Sequence, residues 1–386
     1  MNDASNGATS GTATGATTGA GARILLPFVD DSTLFFVQRM RDLLADRGHE
    51  LVTGWVTNDS DLSYRQLTAV LPNGPDVLLH TDAFRQATPL SEFDAIVTSR
   101  MFAALRDMIR MPHVRYGADR PAVIAFQGGL EFDPERGFGN RHAADAVFVV
   151  PQGDIDRYRK HSETADTGPQ YLGFGHPTFL TPGEPPADLA DRRDVYFFAQ
   201  AISPPTKRAR LHLLRMLAAI ARADPERTVW LKLRHLPHEN TGHLHREEYP
   251  YPSLMKEMGD LPANLKLTAD PMDAVLDRAA VGITCTSTAA VDLVRAGVPT
   301  LVYLDYVESY LDPLVPPMRR LFGKSGLVAD TAQVLRLQTS APDPAWTGTL
   351  FCPATRLAEQ VEEAIAAFRA RPVAVRRRIP PPDMLD

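Results

Sequence analysis

The sequence predicts an α/β protein built from two doubly wound, parallel-sheet domains of Rossmann type. Short apolar runs of strand character alternate with helical patterns along almost the whole chain, which is the mark of a parallel sheet covered by helices. A Pro-rich, charged stretch at 181–194 (TPGEPPADLADRRD) divides the alternation into two similar halves and reads as an interdomain linker. The length of 386 residues suits two domains of ordinary size.

The first strand is RILLPF at 23–28. It ends in Val29-Asp30-Asp31-Ser32, after which Leu34, Phe35, Val37, Met40, Leu43 and Leu44 set a helical pattern closed by Arg47-Gly48-His49. Residues 50–56 form the second strand, and 76–79 and 95–98 are further short ones. PAVIAF at 121–126 is a buried strand opening into Gln127-Gly128-Gly129-Leu130-Glu131-Phe132. AVFVV at 146–150 precedes a polar helix at 153–161, and YLGFGHP at 171–177 ends the half. In the second half, strands are expected at 195–199, 228–233 and 265–267, with a helix at 206–223.

The stretch 280–305 (AVGITCTSTAAVDLVRAGVPTLVYLD) then reads as strand, tight turn, helix and strand. Thr286, Ser287 and Thr288 supply hydroxyls where its helix starts, Gly297 stops that helix, and Pro299 follows. Such a unit puts a helix N-terminus at the carboxyl end of a parallel sheet, where a phosphate can be held. Plain helix capping is the alternative role for Ser287 and Thr288. A final amphipathic helix spans 356–370, with Leu357, Val361, Ile365 and Phe368 on one side. The expected organisation is a disordered tail at 1–21, a first domain at 22–180, the linker, a second domain at 195–354, a closing helix at 355–372 and a tail at 373–386.

Composition excludes several classes. A hydrophobic share of 44% with 23% charged residues is that of a soluble globular protein. The net charge of −6 argues against a nucleic-acid partner, which favours a basic face. Cys285 and Cys352 cannot build a disulfide framework, so a reduced, cytoplasmic setting is expected. No stretch approaches the roughly 20 apolar residues of a membrane span. The first twenty residues lack the basic start and apolar core of a signal peptide.

Two such domains place ligand sites at the carboxyl ends of their sheets, facing each other across a cleft. The first half offers Asp30, Asp31, Ser32, Gln127, Gly128, Gly129 and Glu131 there. The second half offers Gln200, Lys207, Lys232, Arg234, His235, His238, Glu239, Thr286, Ser287 and Thr288. A carboxylate can take the proton of an acceptor hydroxyl, while cations and N–H groups hold a leaving phosphate. That division suits transfer from a phosphate-activated donor. Glu131 is the first choice of base and Asp31 the second. Capping for Asp30-Asp31, and an ordinary loop carboxylate for Glu131, are the competing readings.

The segment LKLRHLPHENTGHLHREE at 231–248 carries four histidines and invites a zinc reading. Its spacing is poor for one: His238 and His243 are five apart rather than four, and Asn240-Thr241-Gly242 breaks a helix. Contact with phosphate or substrate, or a His-rich surface loop, suits it better, and no metal site or other cofactor is expected. The chain lacks a GxGxxG after its first strand, a GxxxxGK[ST] phosphate loop and a G-x-S-x-G elbow, and Asp30-Asp31 is not a D-x-D pair.

From about residue 22 to 371 the chain resembles GT-B glycosyltransferases, and among them an uncharacterised actinobacterial family. The resemblance rests on VDDSTLFF (29–36), FQGGLEF (126–132), FFAQAISPPTKRAR (197–210), LKLRHLPHE (231–239) and TCTSTAAVD (284–292). More distantly it is similar to capsule-type sialyl- and Kdo-transferases, with Ser287-Thr288 matching their hydroxyl pair. It departs from them in the order of Gly128-Gly129-Leu130-Glu131 and in the residue between His235 and Pro237. The resemblance implies two facing Rossmann-like domains with a C-terminal helix returning to the first. It further implies a nucleotide-sugar donor (CMP-linked among the candidates), an inverting, metal-independent reaction, and a base in the first domain. The acceptor it implies is a cell-surface polysaccharide or glycolipid. Peripheral contact with an anionic inner membrane through Arg371 and Arg376-Arg377-Arg378 is a further expectation, against a merely solvated tail. A nucleotide-sugar 2-epimerase shares the fold but would need an Arg-x-x-Thr-Glu-type signature that 282–288 lacks. A non-catalytic nucleotide-sugar-binding protein is the third reading.

Overall fold

The computed structural model describes residues 21–57, 62–79, 90–101, 120–128, 134–165, 167–234 and 247–376. The first sheet comprises β1 (Arg23–Phe28), β2 (Glu50–Val56), β3 (Val77–Leu79), β4 (Ala95–Thr98), β5 (Ala122–Phe126), β6 (Ala146–Val149) and β7 (Tyr171–Phe174). Its strands are parallel, in the order β3-β2-β1-β4-β5-β6-β7. The second comprises β8 (Asp194–Phe198), β9 (Val229–Lys232), β10 (Leu265–Thr268), β11 (Ala279–Thr284), β12 (Thr300–Tyr303) and β13 (Val328–Ala329), also parallel, in the order β10-β9-β8-β11-β12-β13. In each sheet the order reverses beside the first strand, between β1 and β4 and between β8 and β11. Chain leaving those paired ends diverges and opens a crevice at the carboxyl edge.

The inner strands of each sheet are buried on both faces, which is why they read as continuous apolar runs rather than alternating ones. In β4, β5 and β6 every residue is buried. Helix α1 (Asp31–Leu44) starts with a capping box: the Asp30 carboxylate accepts from the Thr33 N–H at 2.8 Å, and the Thr33 hydroxyl accepts from the Asp30 N–H at 3.0 Å. Such a cap contributes about 1 kcal/mol. Leu34, Val37, Met40 and Leu44 follow at helical spacing and enter the first domain's core.

Further helices that matter below are α2 (Tyr64–Val70), α3 (Asp154–Thr164), α4 (Lys207–Ala223), α5 (Ala289–Arg295) and α6 (Ala354–Arg369). Gly282 lets β11 approach α5, since a Cβ there would fall 2.3 Å from Leu293 Cδ1. Gly297 ends that unit with φ 67°, the left-handed region glycine favours.

Helix α6 returns to the first domain as the resemblance implied. Its Leu357, Val361, Ile365 and Phe368 share one core with Ile24, Phe28, Val97 and Phe126. The chain crosses between domains twice, and the two crossings are tied where Leu180 bridges Cys352. The Cys352 N–H donates to the Phe179 carbonyl at 2.9 Å, and the Thr181 N–H to the Cys352 carbonyl at 3.0 Å. Beyond α6 the structure differs from a bare tail. Residues Val373–Arg376 make a helical turn whose last carbonyl accepts from Arg120 Nε at 2.9 Å. Arg371 is turned inward onto Asp145, at 2.9 Å, where Arg120 also binds at 2.6 Å. It is thus not part of a basic surface. Residues 377–386 lie outside the described ones, as do the first twenty.

Candidate active site in the interdomain cleft

The carboxyl edges of the two sheets meet at the start of α1. Asp30 is the cap, and its second oxygen takes Arg100 Nη1, just past β4, at 2.5 Å. The next residue, Asp31, reaches the other domain. Arg234, two residues beyond β9, donates to it through Nη2 at 2.6 Å and Nε at 3.0 Å, and through Nη2 to Ser32 Oγ at 3.1 Å. This is the fork geometry by which a guanidinium binds a carboxylate with both arms. The Asp31 side chain is 9% exposed and the Arg234 side chain 44%, so the pair sits at the wet mouth of the cleft.

Two turns further along α1, Arg39 makes a second bridge. Its Nη2 lies 2.7 Å from Asp292 Oδ1 on α5, and its Nη1 binds the Thr178 hydroxyl in the crossing segment. Burial pushes the Asp292 carboxyl up, against the pull of Arg39 and Arg295. Thr178 is positioned by His176, whose Nδ1 accepts its N–H at 3.0 Å. The His176 ring is packed among Phe36, Phe126 and Phe179, and burial pushes its pKa down to about 3, so it stays neutral.

On the second domain, Lys232 ends β9 in a buried position, its Nζ donating to the Leu233 carbonyl at 2.6 Å. Burial pushes its pKa down to about 8. Asp270 opposes that shift, and Arg234 and Arg65 add to it. Arg65 belongs to α2 of the first domain, so Lys232 also fronts the cleft. At the switch point, the Thr286 hydroxyl past β11 bonds the Gln200 side-chain carbonyl past β8. The Ser287 hydroxyl accepts from the Ala289 N–H at 3.2 Å, and the Ser287 N–H donates to Thr284 Oγ1 at 3.2 Å. Thr288 stands at the cap position of α5 without a side-chain cap bond and is exposed. Capping therefore engages Ser287 and leaves the Thr288 hydroxyl facing solvent.

The remaining expected residues are placed differently. Glu131, Gly129, His235, His238 and Glu239 lie outside the described residues. Gln127 is buried, and its side chain accepts from the Val150 N–H at 3.1 Å, a role that joins strand ends rather than facing solvent. Gly128 is exposed and sits against Ser99, whose carbonyl is 3.2 Å from where a Cβ would stand. Lys207 is paired with Glu257 at 2.7 Å, which ties it to the helix Tyr251–Met258 instead of the cleft.

Sequence reading missed Arg39, Arg100 and Arg210. Arg210 on α4 is fully buried and donates to the carbonyls of Pro204 (2.8 Å), Gln200 (2.9 Å), Ala201 and Tyr249, so it pins the loop that carries Gln200. The signal for it was a charged residue on the apolar face of a helix otherwise carrying Leu213, Leu214 and Leu217. Among the described residues no cluster of three or more His, Cys, Asp or Glu could hold a metal ion, and no helix is long and apolar enough to cross a membrane.

The family described as "Putative glycosyltransferase (DUF6716)" matches the chain over residues 30–367. The chain belongs to this family. Its two parallel-sheet domains and returning helix are the GT-B fold of glycosyltransferases, so the expectations of an enzyme and of that fold hold. No curated protein matches the sequence. Among solved structures, one of "putative UDP-N-acetylglucosamine 2-epimerase from Listeria monocytogenes" is similar at 12% identity and a TM-score of 0.57, covering 92% of this chain and 98% of that one. The "S. aureus MnaA-UDP co-structure" is similar at 10% identity and a TM-score of 0.53, covering 90% and 96%. At these identities the likeness is one of fold.

Proposed function

We propose that the protein is an inverting, metal-independent glycosyltransferase using a nucleotide-sugar donor. One observation carries the reading: Arg234 of the second sheet's carboxyl edge and Asp31 of the first meet at 2.6 Å, which sets cations and carboxylates on opposite walls of one cleft. In this reading Lys232, Arg234 and the Thr286–Thr288 turn, with His235 and His238, hold the donor phosphates, and Glu239 accepts from hydroxyls of the donor. The acceptor oxygen attacks the anomeric carbon as the bond to the phosphate oxygen breaks, and its proton goes to Glu131 or Asp31. The nucleotide leaves with its charge held by the cations. Asp30 and Arg100 hold the start of α1 in place, and Arg210 does the same for the Gln200 loop.

The likeness to capsule-type transferases favours a CMP-linked sugar and a cell-envelope polysaccharide or glycolipid acceptor, on the cytoplasmic side of the membrane. Contact with that membrane then falls to Arg377 and Arg378, since Arg371 is spent on Asp145 and Arg376 sits in the turn that Arg120 binds. The test is a thermal-shift screen against CMP, UDP, GDP and ADP, followed by incubation with the matching nucleotide sugars, with and without acceptor extracts. A nucleotide at a hundred times its Kd adds about 2.7 kcal/mol of stability. Nucleotide release that depends on acceptor supports transfer. The fold likeness to the Listeria protein favours a second reading, 2-epimerisation. It predicts a changed sugar without any acceptor, and a binding protein predicts neither product.

A further inference from the structure

We infer that Arg234 works as a clasp which donor phosphate must open, so that donor binding uncovers the carboxylate facing the acceptor. The inference rests on the donor-site reading above, and its test separates the two. Arg234 is held by three hydrogen bonds, at 2.6, 3.0 and 3.1 Å, all to Asp31 and Ser32 of the other domain. Both Asp31 oxygens are occupied by the one guanidinium. In that state each Asp31 oxygen already accepts one bond and the carboxylate's charge is paired with the guanidinium, which makes it a poorer acceptor for the proton of an acceptor hydroxyl.

The guanidinium has a second suitor. A phosphate oxygen pair matches the same two-armed geometry and carries at least as much charge as a carboxylate. Lys232, on the same strand end, has its charge disfavoured by burial and by Arg234 beside it. A dianionic group brought between them relieves both and draws Arg234 away from Asp31. The second bridge, Arg39 to Asp292, does not share a residue with the clasp, so the domains stay joined while the clasp turns over. The pair is 44% exposed on its arginine side, which keeps the exchange open to a ligand entering from solvent. Donor and Asp31 thus compete for one cation. Binding in the order donor, then acceptor, follows, because the acceptor's carboxylate is released only by the first ligand.

The experiment is isothermal titration of UDP and CMP into the full chain and its variants. Competition makes an unusual prediction: Asp31→Asn, although a loss of a cleft residue, should bind nucleotide about two- to fivefold more tightly than wild type, because no ion pair has to be displaced. Arg234→Met should bind about ten- to a hundredfold more weakly. In the Arg234→Met background, Asp31→Asn should then change nothing. Asp30→Asn removes the same charge one residue away and loses the Arg100 pair, but it keeps a capping side chain and does not free Arg234, so it should not tighten binding. A gain equal in Asp30→Asn and Asp31→Asn would make the effect one of general charge and overturn the clasp. Weaker binding in Arg234→Met with no gain in Asp31→Asn overturns the clasp and leaves the donor site standing. Unchanged binding in Arg234→Met overturns both.

Discussion

Lys232 gives a prediction whose size can be worked from the structure. Its ammonium is buried at the end of β9, and its pKa lies at about 8 rather than 10.5. Near pH 7 about nine in ten molecules carry the charge, and near pH 9 about one in ten do. If the charged form is the one that holds the donor phosphate, nucleotide affinity falls about tenfold between these pH values, or about 1.4 kcal/mol. The phosphate itself contributes nothing to that slope, since its last proton leaves near pH 6. Folding stability should move the other way. Because the folded pKa is depressed, the unfolded chain holds a proton between pH 8 and 10.5 that the folded chain has lost, so this group's cost is relieved as pH rises through that window, by up to about 3 kcal/mol. Titration calorimetry at pH 7 and 9 on wild type and Lys232→Met measures the first effect. A fall in Lys232→Met as steep as in wild type refutes the assignment.

Four further outcomes are expected. Arg39→Met should destabilise the chain by about 1–2 kcal/mol in urea unfolding, below the 3–5 of a fully buried pair because Arg295 stays within 3.8 Å of Asp292. Ser287→Ala with Thr288→Ala should weaken nucleotide binding by about 1–3 kcal/mol, and an unchanged Kd in the folded double variant would remove that turn from the site. Chelator should leave turnover intact, whereas a loss restored by Mg²⁺ or Mn²⁺ would assign the leaving group to a metal. Glu131→Gln and Asp31→Asn, compared for transfer rate, should single out the base by a fall of about 10²- to 10⁴-fold in one of them.

Much of the fold was legible because the inner strands of its sheets are buried on both faces. A run such as AVIAF (Ala122–Phe126), five apolar residues ahead of Gln127-Gly128-Gly129, reads as an interior strand by its length and by the turn residues that follow it. Less legible were β13 and the helix Val315–Phe322. The strand has two residues, and the helix begins Val-Pro-Pro, which looks like a breaker until the prolines are seen to occupy its first turn, where no N–H is needed.

The site divides in the same manner. Asp31, Arg234 and the Ser287 turn follow strand ends directly, so strand position alone put them in the cleft. Arg39 lies two turns inside a helix, and only the docking of α5 makes it a bridge. Lys207, at the start of α4, looked like a phosphate ligand because strand-end helices offer them there. It is instead drawn sideways to Glu257, a contact between helices 50 residues apart that no local pattern announces.

Helix α1 therefore carries more than its sequence suggests. Its apolar face is locked into the first domain's core with α6, while its polar face holds the second domain at two points, Asp31 and Ser32 near its start and Arg39 two turns on. Phe35 lies on that polar face between the two attachments, and it is 50% exposed. Because 31, 35 and 39 recur every four residues, they rise along one side of the helix in steps of about 6 Å. The domains are thus tied at two points about 12 Å apart along α1, with a half-exposed aromatic ring between them in the sequence of that helix. The Arg234–Asp31 and Arg39–Asp292 pairs share no residue, so loss of the first leaves the second and the Leu180–Cys352 bridge in place. Attachment to the first domain's core and attachment to the second domain are therefore supplied by different residues of one helix, so a substitution at 31 or 39 loosens the domain contact without touching the core packing of Leu34, Val37 and Met40.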